Sequence, residues 1–295
     1  MIQCAQRPAG LARHAGRLRT VLLITAAFMV VELVGGVVAN SLALLADAGH
    51  MFTDVAALGL SLFAAWIAQR PPSPAKTFGY LRIEILAALV NGAALFVIAG
   101  LIVVDAVARI ASQPSVNPTI LLGVASAGLV VNVIGLRMLH AGHRHSLNVR
   151  GAYLHVLGDL LGSLGAMAAG AVILATGWVL ADPLISIGIA LLILIGAWRL
   201  VRESVDVLLE ATPKHIELHD VQQQIATIPG VDEVHDLHVW TVTSGVVAMS
   251  GHAVVPDPHA SQRVIETVQS RMADLGIQHV TMQIEDKRGC PSERP

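Results

Sequence analysis

The sequence predicts an all-α bundle of six membrane-spanning helices followed by a small soluble α+β domain. Three observations carry that reading: an aliphatic excess over the whole chain, the spacing of apolar runs in its first two thirds, and an abrupt change of pattern after Arg202. Of 295 residues, 54% are hydrophobic and only 14% are charged. A soluble domain carries roughly 25% charged residues, so lipid is the expected solvent for most of this chain.

A bilayer core of roughly 30 Å takes about 20 apolar residues as a helix. Runs of that length lie near residues 20–39, 42–68, 85–108, 119–139, 151–177 and 183–201. The first begins at Thr20 and continues to Asn40, longer than the core of a cleavable signal, and reads as a spanning helix. Arg13, Arg17 and Arg19 precede it. Arg70, Lys76 and Arg82 separate the second run from the third, and Arg137, Arg144 and Arg150 separate the fourth from the fifth. The opposite connections hold no Lys or Arg except Arg109, at the edge of the third run. Positive charge concentrates on the cytoplasmic side of membrane proteins, which places both termini in the cytoplasm.

From Pro213 onward, charged residues, histidines and period-two alternation replace the apolar runs. Residues 220–228 read as a helix, 233–243 and 246–255 as strands joined at Ser244-Gly245, 258–275 as a second helix, and 279–285 as a third strand. This order, helix-strand-strand-helix-strand, predicts a sandwich of the ferredoxin-like kind. The expected division is a cytoplasmic N-terminal tail over 1–19, a transmembrane domain over 20–202, a linker over 203–213, the cytoplasmic α+β domain over 214–288 and a tail over 289–295. A domain of about 75 residues has a marginal core, so pairing with a second copy is expected.

The net charge of -2 and a pI near 6.7 give no basis for nucleic-acid binding. Two cysteines at opposite ends, Cys4 and Cys290, make no disulfide framework and leave thirteen histidines as the supply of soft ligands. Two of these sit where a membrane helix avoids ionisable groups. The second run contains Asp47, His50 and Asp54; the fifth contains His155 and Asp159 in the same His-x-x-x-Asp spacing. Four residues make about one helical turn, so each helix presents an imidazole and a carboxylate on one face. Two such faces opposed supply two nitrogens and two oxygens, a set that suits a tetrahedral divalent ion and zinc in particular. Two aspartates, two neutral histidines and Zn2+ sum to zero charge, which relieves the cost of burying carboxylates in lipid. When the metal leaves, histidine can take a proton near neutral pH, so the same site suits metal/proton exchange. In a soluble helix a lone His-x-x-x-Asp is an ordinary surface pair; two copies inside apolar runs are not.

Asp47, one turn before His50, reads either as a residue that supports the metal ligands or admits the ion to them, or as a helix-helix hydrogen bond. Glu32 and Asp105 are pathway groups or polar contacts within the bundle, and Asn91 and Asn132 read as interhelical hydrogen bonds. Gly158-x-x-x-Gly162, with Gly165 and Gly170 beyond, lets a neighbouring backbone approach closely. In the C-terminal domain, His235, His238, His252, Gln283 and Glu285 form a second constellation, in which His235, His252 and Glu285 are either metal ligands or solvated strand residues. His235 and Trp240, an odd number of residues apart, are expected on opposite faces of their strand. His140, His143 and His145 are a polar loop or a weak metal-gathering cluster.

Three segments resemble the cation diffusion facilitator family, and most closely its bacterial zinc exporters: Ser41-Leu-Ala-Leu-Leu-Ala-Asp-Ala-Gly-His-Met-Phe-Thr-Asp54, Thr77-Phe-Gly-Tyr-Leu-Arg-Ile-Glu-Ile-Leu-Ala-Ala-Leu-Val-Asn91 and Ser146-Leu-Asn-Val-Arg-Gly-Ala-Tyr-Leu-His-Val-Leu-Gly-Asp-Leu-Leu-Gly-Ser163. The likeness runs from Arg19 to Glu285. It implies a six-helix bundle, a cytoplasmic metallochaperone-like domain, a homodimer in the bacterial inner membrane, and proton-coupled efflux by alternating access. Zinc is the implied substrate, with cadmium or cobalt as alternatives, and no prosthetic group is expected. The transport ligands carry over to His50, Asp54, His155 and Asp159; histidine at the first of these resembles the more zinc-selective members. Lys76-Thr-Phe-Gly-Tyr80 lacks the aspartate and histidines with which some relatives build a further site in this loop. His235 and His252 match family metal positions, whereas Gln283 stands where a histidine is frequent, leaving a weaker site with Glu285. Two other classes compete with a transporter: a membrane-embedded zinc hydrolase, which would need an open coordination position and a nearby base, and a metal sensor that binds without moving the ion.

Overall fold

The structure is a computed structural model that describes residues 10–38, 42–112, 118–178 and 180–286. They divide into two compact units, one ending at Val205 and one beginning at Asp206.

The first unit is built from six long helices: α1 (Gly10–Val38), α2 (Leu42–Ile67), α3 (Ile83–Ser112), α4 (Pro118–His140), α5 (Leu147–Thr176) and α6 (Ala181–Leu208). Among the described residues, three stretches are long and apolar enough to cross a bilayer: Ile83–Ala111, Leu147–Thr176 and Pro183–Leu208. Shorter apolar stretches, Asp54–Ile67 and Ser126–His140, lie in α2 and α4. The outward faces are apolar too, with Val90, Val97 and Leu101 of α3 and Leu191, Leu192 and Ile195 of α6 exposed. So continuous an apolar exterior is unfavourable in water and natural in lipid.

Leu18 and Val21 of α1, Leu58 and Ala65 of α2, Leu139 of α4, and Val149, Ala152 and Val156 of α5 form one buried cluster. Helix α6 touches α3 and α5. Trp198 meets Phe96 of α3 edge-on at 6.4 Å between ring centroids, and Arg150 of α5 bonds the Glu203 carboxylate. Isoleucine side chains of α6 lie over Gly158 and Gly165 of α5. A Cβ at Gly165 would lie 2.4 Å from Ile189 Cδ1, whereas one at Gly162 would meet nothing within 4 Å. Gly158-x-x-x-Gly162 is therefore not the contact pair; a seven-residue spacing, two turns of helix, puts the useful glycines on one face.

Helix α5 begins at Leu147, four residues before the apolar run that predicted it, because Ser146 is a true N-cap. Its backbone is extended and its hydroxyl accepts from Val149 N–H at 3.2 Å.

The second unit carries α7 (Leu218–Ala226), β1 (Glu233–Thr243), β2 (Val246–Val254), a 3₁₀ turn at Pro258–Ala260, α8 (Ser261–Asp274) and β3 (Ile277–Glu285). The sheet order is β1-β2-β3. β1 and β2 form an antiparallel hairpin through Gly245, whose φ of 76° L side chains resist. β2 and β3 are parallel, which requires a crossover, and α8 supplies it. Val221 and Ile225 of α7, with Val264, Val268 and Met272 of α8, are apolar stripes at helical spacing. They pack on Val234, Val239, Val247, Met249, Ala253 and Ile277 of the sheet. Each fully buried side chain of this kind contributes about 1.5–3 kcal/mol.

β1 is irregular. His235 pairs with His252 but His238 pairs with Ser250, so three residues of β1 span two of β2. This is a β-bulge, and Asp236 within it has φ of 49°. The extra residue reverses the alternation. Val234 and Val239, five apart, both enter the core, and His235 and Trp240 share the other face, paired with His252 and Ala248. The expectation from odd spacing was wrong here because a bulge is invisible to a parity count.

Candidate metal sites

Asp54, on α2, and His155 and Asp159, on α5, come together in the interior of the first unit. One ligand atom from each lies within 4.8 Å of the others. Asp54 and His155 are each 5% exposed, and the His155 Nε2–H donates to Asp54 Oδ1 at 2.9 Å. Helix periodicity explains half of this: His155 and Asp159 are one turn apart and point the same way. The other half is tertiary, since α5 must face α2 for Asp54 to meet them. The side chains of His50, Asp47 and Glu32 lie outside the described residues, although their backbone belongs to α2 and α1. Two carboxylates and an imidazole, Asp54 and His155 buried and Asp159 half-buried, form a strongly cation-attracting set, because a metal ion neutralises charge that lipid cannot solvate.

Asp105 is not part of this arrangement. It is exposed on α3 and pairs with Arg109, one turn on, at 2.7 Å, so it is a surface ion pair near the end of the helix. Asn91 does join two helices, donating to Ser61 Oγ of α2 at 2.7 Å.

A second cluster lies on the face of the sheet turned away from α7 and α8. Glu285, at the end of β3, holds both histidines: His235 Nε2 is 3.3 Å from Oε2 and His252 Nδ1 is 3.0 Å from Oε1. The two rings meet edge to face at 5.4 Å, and the three residues offer ligand atoms within 4.8 Å of one another. Gln283 donates to Glu285 Oε1 at 2.7 Å; where a histidine would add a ligand, the glutamine orients one. Asp236 is the residue the sequence reading missed. The bulge swings its carboxylate to 3.6 Å from His252 Nε2 and 3.0 Å from His238 Nε2. A positive-φ Asp in a strand leaves no mark in an alternation pattern.

The histidine loop between α4 and α5 is organised by Tyr153. His143 stacks on that ring at 4.3 Å, and His140 packs against His143 at 4.9 Å. Burial lowers the His143 pKa from its ordinary 6.5, partly offset by its hydrogen bond to the His140 carbonyl. His145 lies beyond this stack, and the loop is not among the clusters that bring three ligand atoms together in the described residues.

Comparison with known proteins then decides the family. Residues 18–209 match the family model described as the cation efflux transmembrane domain, and residues 213–287 match that of the cation efflux protein cytoplasmic domain.

The chain belongs to the cation efflux family.

Similar members include the zinc transporter ZitB of Escherichia coli, 45% identical over 275 residues that cover 92% of this chain and 88% of that protein. A cadmium, cobalt and zinc/H(+)-K(+) antiporter of Bacillus subtilis is 41% identical over 281 residues, covering 92% and 90%. The metal cation efflux system protein CzcD of Cupriavidus metallidurans is 43% identical over 270 residues, covering 91% and 85%. This cation efflux protein is accordingly an integral membrane transporter of metal cations and not an enzyme.

Proposed function

We propose that this cation efflux protein exports zinc from the cytoplasm in exchange for protons, by alternating access at a site of His50, Asp54, His155 and Asp159. The observation that carries the reading is the convergence of buried Asp54 and His155 with half-buried Asp159. His50 lies one turn before Asp54 on α2 and completes a two-nitrogen, two-oxygen set that suits Zn2+. The relatives named for zinc, cadmium and cobalt support a transition-metal substrate, and the mixed His/Asp set favours zinc over the harder ions that prefer all-oxygen sites.

Proton exchange follows from the ligand chemistry. A metal-bound imidazole must be neutral; once the ion departs, His155 beside Asp54 and Asp159 can hold a proton in its place. Asp47 sits one turn before His50 and is assigned to helping the ion reach it. All six helices span the bilayer in this reading, with both termini in the cytoplasm, in a bacterial inner membrane. The protein works as a homodimer through its C-terminal domains, where His235, His252 and Glu285 bind regulatory metal with Asp236 beside them.

The test is zinc flux into proteoliposomes under an imposed pH gradient. Flux should follow the gradient in the parent protein and vanish in His50→Ala and Asp159→Ala. Gradient-independent flux would remove the exchange mechanism, and unaltered flux in either variant would remove the site. A sensor binds zinc under these conditions without flux.

A further inference from the structure

The Asp54–His155 contact is one rung of a ladder between α2 and α5. A second rung lies one heptad away on both helices: Asn148, seven residues before His155, donates through Nδ2 to the Ser61 carbonyl, seven residues after Asp54, at 2.6 Å. The helices are antiparallel here, so both rungs keep register, about 10 Å apart along the axis. Between them, Leu58 and Ala152 belong to the same buried cluster. Helix α3 locks the second rung from the side. Asn91 donates to Ser61 Oγ, and its Cβ sits so near α5 that a Cβ at Gly151 would lie 3.3 Å from it. Glu84, at the start of α3, accepts from the Ser146 hydroxyl, which leaves the Ser146 oxygen to cap α5. Asn91, Asn148, Ser61, Ser146 and Glu84 are all buried.

Stability alone does not account for every member of this network. Asn148 Oδ1 is buried without a protein donor among the described residues, a cost that an apolar side chain at this position would avoid. Polar residues kept in helical interfaces despite such a cost act by fixing register, as a single interfacial asparagine does in a coiled coil.

We propose that Asn148 and Asn91, acting on Ser61, are positioning residues that set the register of α2 against α5 and thereby the spacing of the metal ligands one heptad away. This rests on the reading of Asp54, His155 and Asp159 as metal ligands. Zinc accepts nitrogen and oxygen at about 2.0–2.2 Å in a tetrahedron, so loss of register costs zinc more than it costs the larger cadmium ion.

The experiment measures zinc and cadmium affinity by titration of the full-length protein in detergent, with His235 and His252 both changed to Ala so that the C-terminal cluster is silent, for Asn148→Ala, Asn91→Ala and His155→Ala. Each Asn variant should bind zinc roughly tenfold more weakly, the size of effect seen when groups orienting metal ligands are removed, and its zinc-to-cadmium preference should shift toward cadmium. A purely structural role would lower the melting temperature and leave that preference unmoved, which would overturn the proposal. If Asn148→Ala does not fold, Asn91→Ala, which leaves α5 intact, decides the matter by the same ratio. His155→Ala separates the two levels. Unchanged zinc binding there would sink the site itself; loss of binding there, with unchanged preference in the Asn variants, would sink the register proposal alone.

Discussion

Asp54→Asn separates charge from shape at the membrane site. Asparagine has the volume of aspartate and keeps an oxygen to accept the His155 Nε2–H that now bonds Asp54 Oδ1 at 2.9 Å. The apo fold should therefore persist, with a melting temperature unchanged or slightly raised, because a 5%-exposed carboxylate no longer has to be buried. Metal binding should not persist. With two carboxylates and neutral histidines the zinc-loaded site is neutral; with one it carries a net positive charge beside the buried His155. Four-ligand zinc sites bind with about 10–16 kcal/mol, or about 2.5–4 kcal/mol for each ligand, and every 1.4 kcal/mol is about tenfold. Zinc affinity should thus fall by roughly two to three orders of magnitude. The assay is calorimetric titration of the purified protein with His235 and His252 both changed to Ala, so that only the membrane site responds. Zinc affinity within threefold of the parent would refute the assignment of Asp54.

In the C-terminal domain, Glu285→Gln should release both histidines that Glu285 now holds and abolish metal binding there. Flux at saturating zinc should stay within roughly threefold, a difference readable by comparing cation binding with transport in one preparation. Gly165→Leu drives a side chain into Ile189 and Ile185; overpacking of about 1–3 kcal/mol should appear as a lowered melting temperature in detergent, while Gly162→Leu, where a Cβ meets nothing within 4 Å, should be milder. The packing of His143 on Tyr153 should depend on pH. Burial lowers the His143 pKa from 6.5, so the stacked ring is neutral and its contribution is complete above the unfolded value, then lost as pH falls through the lowered one. The protection factors of residues 140–145, with the intrinsic pH dependence of amide exchange divided out, should fall on acidification, and pH-independent protection would contradict this.

The helical parts were legible because period and composition are local. The edges of α2 and α4, the i,i+4 pairing of His155 with Asp159, and the element order of the C-terminal domain all follow from side-chain spacing and turn residues. What escaped depends on events that spacing does not encode. The bulge at Asp236 inserts one residue and inverts the faces as far as Thr241, where the register shifts again, so Trp240 was misplaced and Asp236 overlooked. Gly165 outranks Gly162 only because Ile189 and Ile185 happen to stand opposite, a tertiary fact. Asn91 could be read as a polar bridge between helices, but its partner Ser61 could not, since serine is common in membrane helices and nothing in its neighbourhood marks it. Likewise, the start of α5 was set late because a cap is polar and the apolar run is not.

By turning Trp240 to the side of the sheet that carries His235 and His252, the bulge gives the C-terminal domain an optical probe of its own. The other three tryptophans, Trp66, Trp178 and Trp198, lie in the helical unit. Trp240 pairs with Ala248, four residues along β2 from His252, or about 13 Å at strand spacing. Changing the three helical tryptophans to phenylalanine would leave a single indole, placed on the face of the sheet that carries the cluster.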